Sequence, residues 1–325
     1  MAASTTIAPL NARPSGRASA FLQRLRSGDD IAYVVTLTCA LSILAVTALL
    51  VFELYRNSAL PRHQFGWSFL VTSTWDPVAE QFGALPFIYG TVVTSALALL
   101  MAIPLGVGAA IFLAELAPAK LSNGLTFLIE LLAAVPSVIF GLLGIFVLVP
   151  ALIAVAPAIQ AVLGWTPLFS GPFYGVSMFS AGVVLTVMII PFIISISREV
   201  ILAVPTEQRE GALALGATKW ETTWDVVIPF ARKGIMGSIF LALARSLGET
   251  MAVTMVIGNE PAIHASLLAP GYSIAAIIAN EFAEAPGELY RGALIELGLV
   301  LFGLTIVING LARVLVLSTT KKGTS

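Results

Sequence analysis

Six long apolar stretches separated by polar segments set the pattern of this chain. The first, Ile31 to Phe52, is about 22 residues without a charge, enough for a helix to cross a hydrocarbon core of about 30 Å. The second, Phe87 to Leu116, lines up Thr91, Thr94, Ser95, Ala98 and Ala102 on one helical face, and small-residue faces of this kind allow close packing in lipid. Pro104, Gly106 and Gly108 are expected to interrupt it near one end, before a short turn at Lys120. Leu121 to Pro157 is too long for one straight crossing and is divided by Pro136-Ser137 and Pro150. It predicts one crossing with extended or bent ends, with two half-helices as the alternative, and Glu130 near its start reads as a packing carboxylate, with a gate residue as the alternative. Val176 to Val204 is the fourth crossing, broken at Pro191 and closing on Arg198 and Glu199 as an interfacial pair. Ile235 to Ile257 and Tyr290 to Leu317 complete the set.

The intervening segments differ in character. Arg56 to Pro86 interleaves Phe65, Trp67, Phe69 and Trp75 with polar residues, which suits an external loop at headgroup level with an interfacial helix. Ala158 to Gly175 has no charge but carries Trp165, Phe169, Phe173 and Tyr174 among prolines and glycines, a second external loop. Gly258 to Leu289 holds Glu260, Glu281, Glu284 and Glu288 and no Lys or Arg. Pro205 to Gly234 is the largest polar interruption of the second half.

With 58% hydrophobic and only 11% charged residues in 325, the composition is that of an all-α integral membrane protein. A net charge of -1 without a basic patch argues against nucleic-acid binding. The single cysteine, Cys39, excludes an intrachain disulfide and a thiolate metal site, and its apolar surroundings predict a buried residue. His63 and His264 lie outside the apolar stretches, and no Ser-His-Asp or metal-ligand spacing appears, so a membrane enzyme is disfavoured; we assign no catalytic residue, cofactor or metal.

Charge then orients the chain. With both termini inside, one side collects Arg13, Arg17, Arg24, Arg26, Lys120, Arg198, Arg209, Lys219, Arg232, Lys233, Arg313, Lys321 and Lys322, against Arg56, Arg62 and Arg291 on the other. The positive-inside bias places both termini and Pro205 to Gly234 in the cytoplasm. The organisation is a tail over 1–30, a first helix over 31–55, an external loop over 56–86, a core over 87–317 containing the loop 205–234, and a tail over 318–325.

Inside the fifth apolar stretch, Ala242 to Ala252 carries Arg245 and Glu249. A charge at the centre of a spanning helix costs roughly 2.5–3.5 kcal/mol on insertion scales, so it marks either compensated structural pairing or an ion pathway. If the helix is continuous, Ser238, Ala242, Arg245, Glu249, Ala252 and Val256 share one mostly small or polar face. A secondary transporter using Arg245 and Glu249 as an ion-coupled relay is the rival reading.

The cytoplasmic loop reads Glu210-Gly211-Ala212-Leu213-Ala214-Leu215-Gly216-Ala217-Thr218-Lys219-Trp220-Glu221, then Val226-Val227-Ile228-Pro229. It predicts a short helix, a stop at Gly216, a second short segment and a stop at Pro229. Leu213, Leu215, Trp220 and Trp224 in a solvated loop call for a covering partner. Gly211 to Thr218 mimics the glycine spacing of a phosphate loop, but Ala217 stands where the lysine is required, so the chain has no ATP site of that kind.

Glu210, Gly211, Ala212, Gly216, Val226, Ile228 and Pro229 resemble the signature of permease subunits of bacterial ABC importers, Glu-Ala-Ala, three residues, Gly, nine residues, Ile-x-Leu-Pro. Gly211, Val226 and Ile228 depart from it by small volumes. The run Ala244-Arg245, Leu247-Gly248-Glu249-Thr250-Met251-Ala252-Val253 is similar to the C-type permeases of phosphate importers, as are Trp75-Asp76-Pro77, Phe82-Gly83, Gly90-Thr91 and Ala134-Val135-Pro136-Ser137. The resemblance implies a six-helix type I importer permease (MetI-like) fold in the bacterial cytoplasmic membrane. It implies a coupling helix involving Glu210, Gly211, Ala212, Gly216, Ala217, Trp220 and Pro229, docked on an ATPase. The implied partners are an A-type permease, two copies of the ABC ATPase and an extracytoplasmic phosphate-binding protein. On that basis Arg245 is expected to meet inorganic phosphate, Glu249 to hold and moderate it, and Ser238, Thr250, Thr91, Thr94 and Ser95 to offer hydroxyl donors; sulfate and molybdate are the alternative substrates.

Overall fold

The computed structural model describes residues 29–321, in two units divided after Glu53. The tails expected at either end fall largely outside the described residues. Among the described residues, six helices are long and apolar enough to cross a membrane.

The first unit contains α1 (Asp29–Asn57), whose last residues belong to the second. Its hydroxyls bond back to carbonyls of the preceding turn, Thr36 to Ala32 and Thr38 to Val34 at 2.8 Å and Thr47 to Ile43 at 2.9 Å. Such back-bonding satisfies polar groups that lipid cannot. Cys39 is exposed on this helix, contrary to expectation, because apolar side chains of a lipid-crossing helix need no protein cover.

The second unit opens with two short helices, α2 (Ala59–Phe65) and α3 (Ser68–Val71), and a two-residue hairpin, β1 (Trp75–Asp76) with β2 (Gln81–Phe82), in the register Trp75↔Phe82. The aromatic residues of this segment divide: Trp67 is exposed, whereas Phe69 is fully buried in one hydrophobic cluster with Phe82 and Phe87, its ring 6.5 Å from that of Phe65.

Next comes α4 (Leu85–Ile111), extended by a wide turn at Phe112–Leu116. Pro104 does not interrupt it, and Gly106 packs against Ile193 of α8 (Met178–Leu202). Pro191 likewise sits inside α8 without ending it. Both prolines survive because the two helices bury each other's small-residue faces: Ala98, Ala102, Ala181 and Leu185 are fully buried, and the Thr186 hydroxyl reaches the Ala98 carbonyl at 3.3 Å.

Between α4 and α8 the chain does break at Pro136. α5 (Ala119–Ala133) rises about 22 Å, too short to cross. The crossing is Ser137–Leu163, built from α6 (Ser137–Leu143), a wide turn at Gly144–Leu148 and α7 (Val149–Leu163). Pro150 is accommodated in the first turn of α7, and the helix runs past Pro157 into the segment expected to be loop. Glu130 is exposed on this chain.

The fifth span starts earlier and stops sooner than the apolar pattern predicts. After α9 (Thr206–Ala214), α10 (Lys219–Glu221) runs through a wide turn at Thr222–Val227 into α11 (Ile228–Leu247), so Pro229 begins a helix instead of ending one. A widened turn is where a helix absorbs the missing proline N–H. A non-helical step over Gly248–Thr250 leads to the short α12 (Met251–Val256).

The acidic segment 258–289 is not a plain loop. Its first half is stitched to the 164–179 segment by main-chain bonds, Leu267 N–H to Leu168 O and Phe179 N–H to Leu267 O at 2.8 Å. Its second half forms α13 (Ile274–Glu281), buried against α4, before α14 (Glu288–Lys321). Gly90 permits that approach: a Cβ there would lie 2.2 Å from the Tyr272 carbonyl oxygen.

Candidate functional site

Arg245 lies in the last turn of α11, about 26 Å of helical rise from Ile228. It is exposed on this chain, with its guanidinium 5.8 Å from the Phe192 ring centroid. Two effects favour a cation there: the carbonyl-rich end of the helix and the negative face of the ring.

Glu249 does not share a helical face with Arg245, because Gly248 ends α11 between them. Among the described residues no ion pair joins the two. Glu249 Oε1 instead accepts from the Ala252 N–H at 3.4 Å, at the start of α12. Thr250 is half-buried beside it, its hydroxyl turned to the Gly248 carbonyl at 3.4 Å. This broken stretch packs on the other one: a Cβ on Gly141 of α6 would lie 2.5 Å from Met255 Sδ. Irregular backbone at membrane depth is tolerated only where it is buried in protein or lines a water-filled path.

The other hydroxyl candidates lie elsewhere. Ser238 is fully buried and shares a 2.7 Å hydrogen bond with Ser197 of α8. Thr91 Oγ1 accepts the Ile274 N–H at 2.9 Å, capping α13, and Thr94 bonds back to Gly90. Ser95 is buried without a hydrogen-bond partner, one turn before Ala98. The structure therefore groups Arg245, Glu249 and Thr250 at the break and commits Ser238 and Thr91 to helix packing.

The second candidate surface is α9 and the turn after it. Glu210 and Gly211 are exposed and Ala212 half-buried, and Gly216 ends the segment at φ +93, a conformation that favours glycine. Ala217 is half-buried, its N–H bonded to the Ala212 carbonyl at 3.2 Å. Leu215 is 91% exposed and Trp220 56%, with Trp224 at 5.5 Å edge-on to Trp220. Pro229 is exposed at the start of α11.

Two residue pairs hold this surface in place, and neither is among the residues singled out from the sequence. Thr218 and Glu221 form a reciprocal capping box, Thr218 N–H to Glu221 Oε2 at 2.7 Å and Glu221 N–H to Thr218 Oγ1 at 3.2 Å. The signal was present as Thr-x-x-Glu. Arg209 on α9 binds Glu115 in the wide turn after α4 and also donates to the Ile201 and Val204 carbonyls. No local pattern announces a partner so distant in the chain.

Residues 102–321 match the family model of the binding-protein-dependent transport system inner membrane component. The phosphate transport system permease protein PstC of Mesorhizobium japonicum is 46% identical over 309 residues, 93% of this chain and 94% of that protein. PstC of Xylella fastidiosa strain 9a5c is 48% identical over 262 residues, covering 79% and 81%. Among solved structures, an inward-facing MetNI methionine ABC transporter chain matches at TM-score 0.48 and 18% identity, over 70% of this chain and 93% of its own. On the family match and the two permease relatives, the chain belongs to the binding-protein-dependent transport system inner membrane components, among the PstC-type permeases.

Proposed function

We propose that this chain is the permease subunit through which an ATP-driven importer moves inorganic phosphate across the bacterial cytoplasmic membrane. Similarity to PstC permeases, near full length for the Mesorhizobium japonicum protein, carries that reading. As a permease subunit of this family the chain works in a complex with another permease, an ATPase and a binding protein. In finer detail we assign an A-type permease beside it, two copies of the ATPase on the 205–234 side, and a phosphate-binding protein opposite. The Lys and Arg bias puts that side in the cytoplasm.

In this reading α9 and the turn after it, with Leu215 exposed in that turn and Trp220 exposed on α10, form the handle the ATPase grips. Arg245, exposed at the far end of the helix that begins beside that handle, faces the path between the two permeases. Its guanidinium stays ionised and offers parallel N–H donors to a tetrahedral oxyanion. The nearby Glu249 carboxylate limits how tightly an anion is held, so that phosphate is released as well as bound. Ser238 and Thr91 serve packing, and Thr250 is the hydroxyl left near the guanidinium.

The test is uptake of labelled phosphate, with and without excess sulfate, in cells expressing the full set of subunits. Vanadate-sensitive phosphate uptake that sulfate leaves intact, and that Arg245→Gln reduces to background without loss of assembly, is the expected result. Normal uptake by a correctly assembled Arg245→Gln protein removes Arg245 from the path, and dependence on the proton gradient with ATP preserved overturns the importer reading.

A further inference from the structure

Away from the break, α2 packs on α14 through Pro61, whose Cδ would lie 2.9 Å from a Cβ added to Gly292. Beside that contact is a cavity of about 720 Å³. Its walls are apolar, with Leu70, Ile88, Leu299, Val300 and Val307 among them, and its two charged members are Arg62 and Glu296. Glu296 is only 6% exposed, and its Oε2 has no hydrogen-bond partner. Arg62 spends Nη2 on the Tyr55 carbonyl at 2.7 Å and lays its guanidinium 3.6 Å from the Tyr55 ring centroid, leaving a buried Nη1 without a partner. No ion pair joins Arg62 to Glu296 among the described residues.

A buried carboxylate oxygen and a buried guanidinium N–H, both unmatched in one cavity, are costly unless something supplies an acceptor for one and a donor for the other. The shape of the cavity narrows the choice. From Glu296 to Val307 the wall follows α14 for about 16 Å, close to the depth of one leaflet's hydrocarbon, about half of a 30 Å core. Trp67, 86% exposed, stands at the rim as aromatic residues do at headgroup level.

We infer that this cavity is a binding site for one phosphatidylethanolamine molecule, its phosphate accepting from Arg62 and its ammonium donating to Glu296, with an acyl chain along α14. The paired charges select the headgroup. Phosphatidylcholine has no N–H for the carboxylate, and phosphatidylglycerol brings no cation to it.

The assembled transporter, exchanged into nanodiscs holding equal parts of palmitoyl-oleoyl phosphatidylethanolamine, phosphatidylcholine and phosphatidylglycerol, is washed and its retained lipid counted by native mass spectrometry. The expected result is one retained phosphatidylethanolamine, enriched about tenfold over either competitor, the effect of one hydrogen bond to a charged group. Glu296→Gln should lose that enrichment while remaining assembled, since it removes a buried unmatched charge. Gly303→Leu should lose the lipid altogether, because Gly303 lines the cavity and a Cβ there meets no atom within 4 Å. Equal retention of the three headgroups, unchanged enrichment in Glu296→Gln, or no retained lipid because a helix of another subunit fills the cavity would each overturn the assignment.

Discussion

Arg209 donates two hydrogen bonds to a single oxygen of Glu115, from Nη2 at 2.9 Å and Nε at 3.2 Å, with both side chains less than one-fifth exposed. The same guanidinium also bonds the Ile201 and Val204 carbonyls at the end of α8. One side chain thus ties the exposed helix α9 to the ends of two spans, α4 and α8, that form the centre of the bundle.

Removing either partner leaves a half-buried charge unmatched. Arg209→Met is expected to lower stability by about 2–3 kcal/mol, less than for a fully buried pair. Glu115→Gln should cost less, because the carbonyl bonds of Arg209 remain. The reversed pair, Glu115→Arg with Arg209→Glu, should not recover, since a carboxylate cannot donate to Ile201 and Val204. Thermal unfolding of the purified complex reads the stability, and ATP hydrolysis per phosphate imported should rise in Arg209→Met if this pair carries the coupling.

Leu215 is 91% exposed, whereas Trp220 keeps an edge-on contact with Trp224, so Leu215 is the cleaner probe of a covering partner. Leu215→Asp is expected to leave the unfolding temperature of the isolated permease nearly unchanged, as exposed substitutions do, while weakening ATPase association by at least about tenfold. Co-purification with titrated ATPase measures it. Undiminished association would place the contact elsewhere on the loop.

The six spans were legible because length and apolarity are enough to name a membrane helix. The breaks were not. Pro104, Pro150, Pro191 and Pro229 looked like stops but lie within or at the start of helices, because packing or a widened turn absorbs the missing N–H. The break that matters at Arg245 comes at Gly248, in a run whose charge spacing suggested a continuous helix. Buried α13 was hidden because its residues sit in an acidic segment short enough to read as loop. The Thr218–Glu221 box carries a local Thr-x-x-Glu signal, whereas the Arg209–Glu115 pair, distant in the chain, has none.

Thr91 separates a packing role from a transport role. Its hydroxyl accepts the Ile274 N–H, so Thr91→Val leaves a buried N–H unmatched at about 1–3 kcal/mol, and Thr91→Ser keeps the bond. Stability should fall in the valine variant and hold in the serine variant. The phosphate concentration for half-maximal uptake should be the same in both. A shift in that concentration with unchanged stability would return Thr91 to the pathway.

The Tyr272 phenol is pushed up to about 12 by burial, with the Glu281 carboxylate adding to the rise. The folded protein therefore favours the neutral phenol over the unfolded chain's value of 10. Its contribution to stability is fully present below pH 10 and is lost as pH rises toward 12. Unfolding in detergent should show a steeper loss of stability over that window than in Tyr272→Phe, and identical slopes would mean that Tyr272 ionises as freely in the fold as outside it.

Arg245 and Glu249 are expected to respond differently to substitution, because the structure does not pair them. If the guanidinium mattered only as a neutralising charge, Arg245→Lys would serve, but an ammonium is a point donor and cannot give the parallel bonds that fit an oxyanion. Arg245→Lys should therefore import phosphate about tenfold more slowly at low phosphate, the effect of about one lost charge-assisted bond, with assembly intact. Phe192→Leu removes the ring beneath the guanidinium and should give a smaller loss, consistent with about 0.5–1 kcal/mol for an exposed cation–π contact. Glu249→Gln keeps an acceptor for the Ala252 N–H and removes only charge. It should leave import measurable while slowing release, seen as a lower half-saturating phosphate concentration with a reduced maximal rate. Equal losses in Glu249→Gln and Arg245→Gln, restored by exchanging the two residues, would instead mean that the two act as one ion pair during transport.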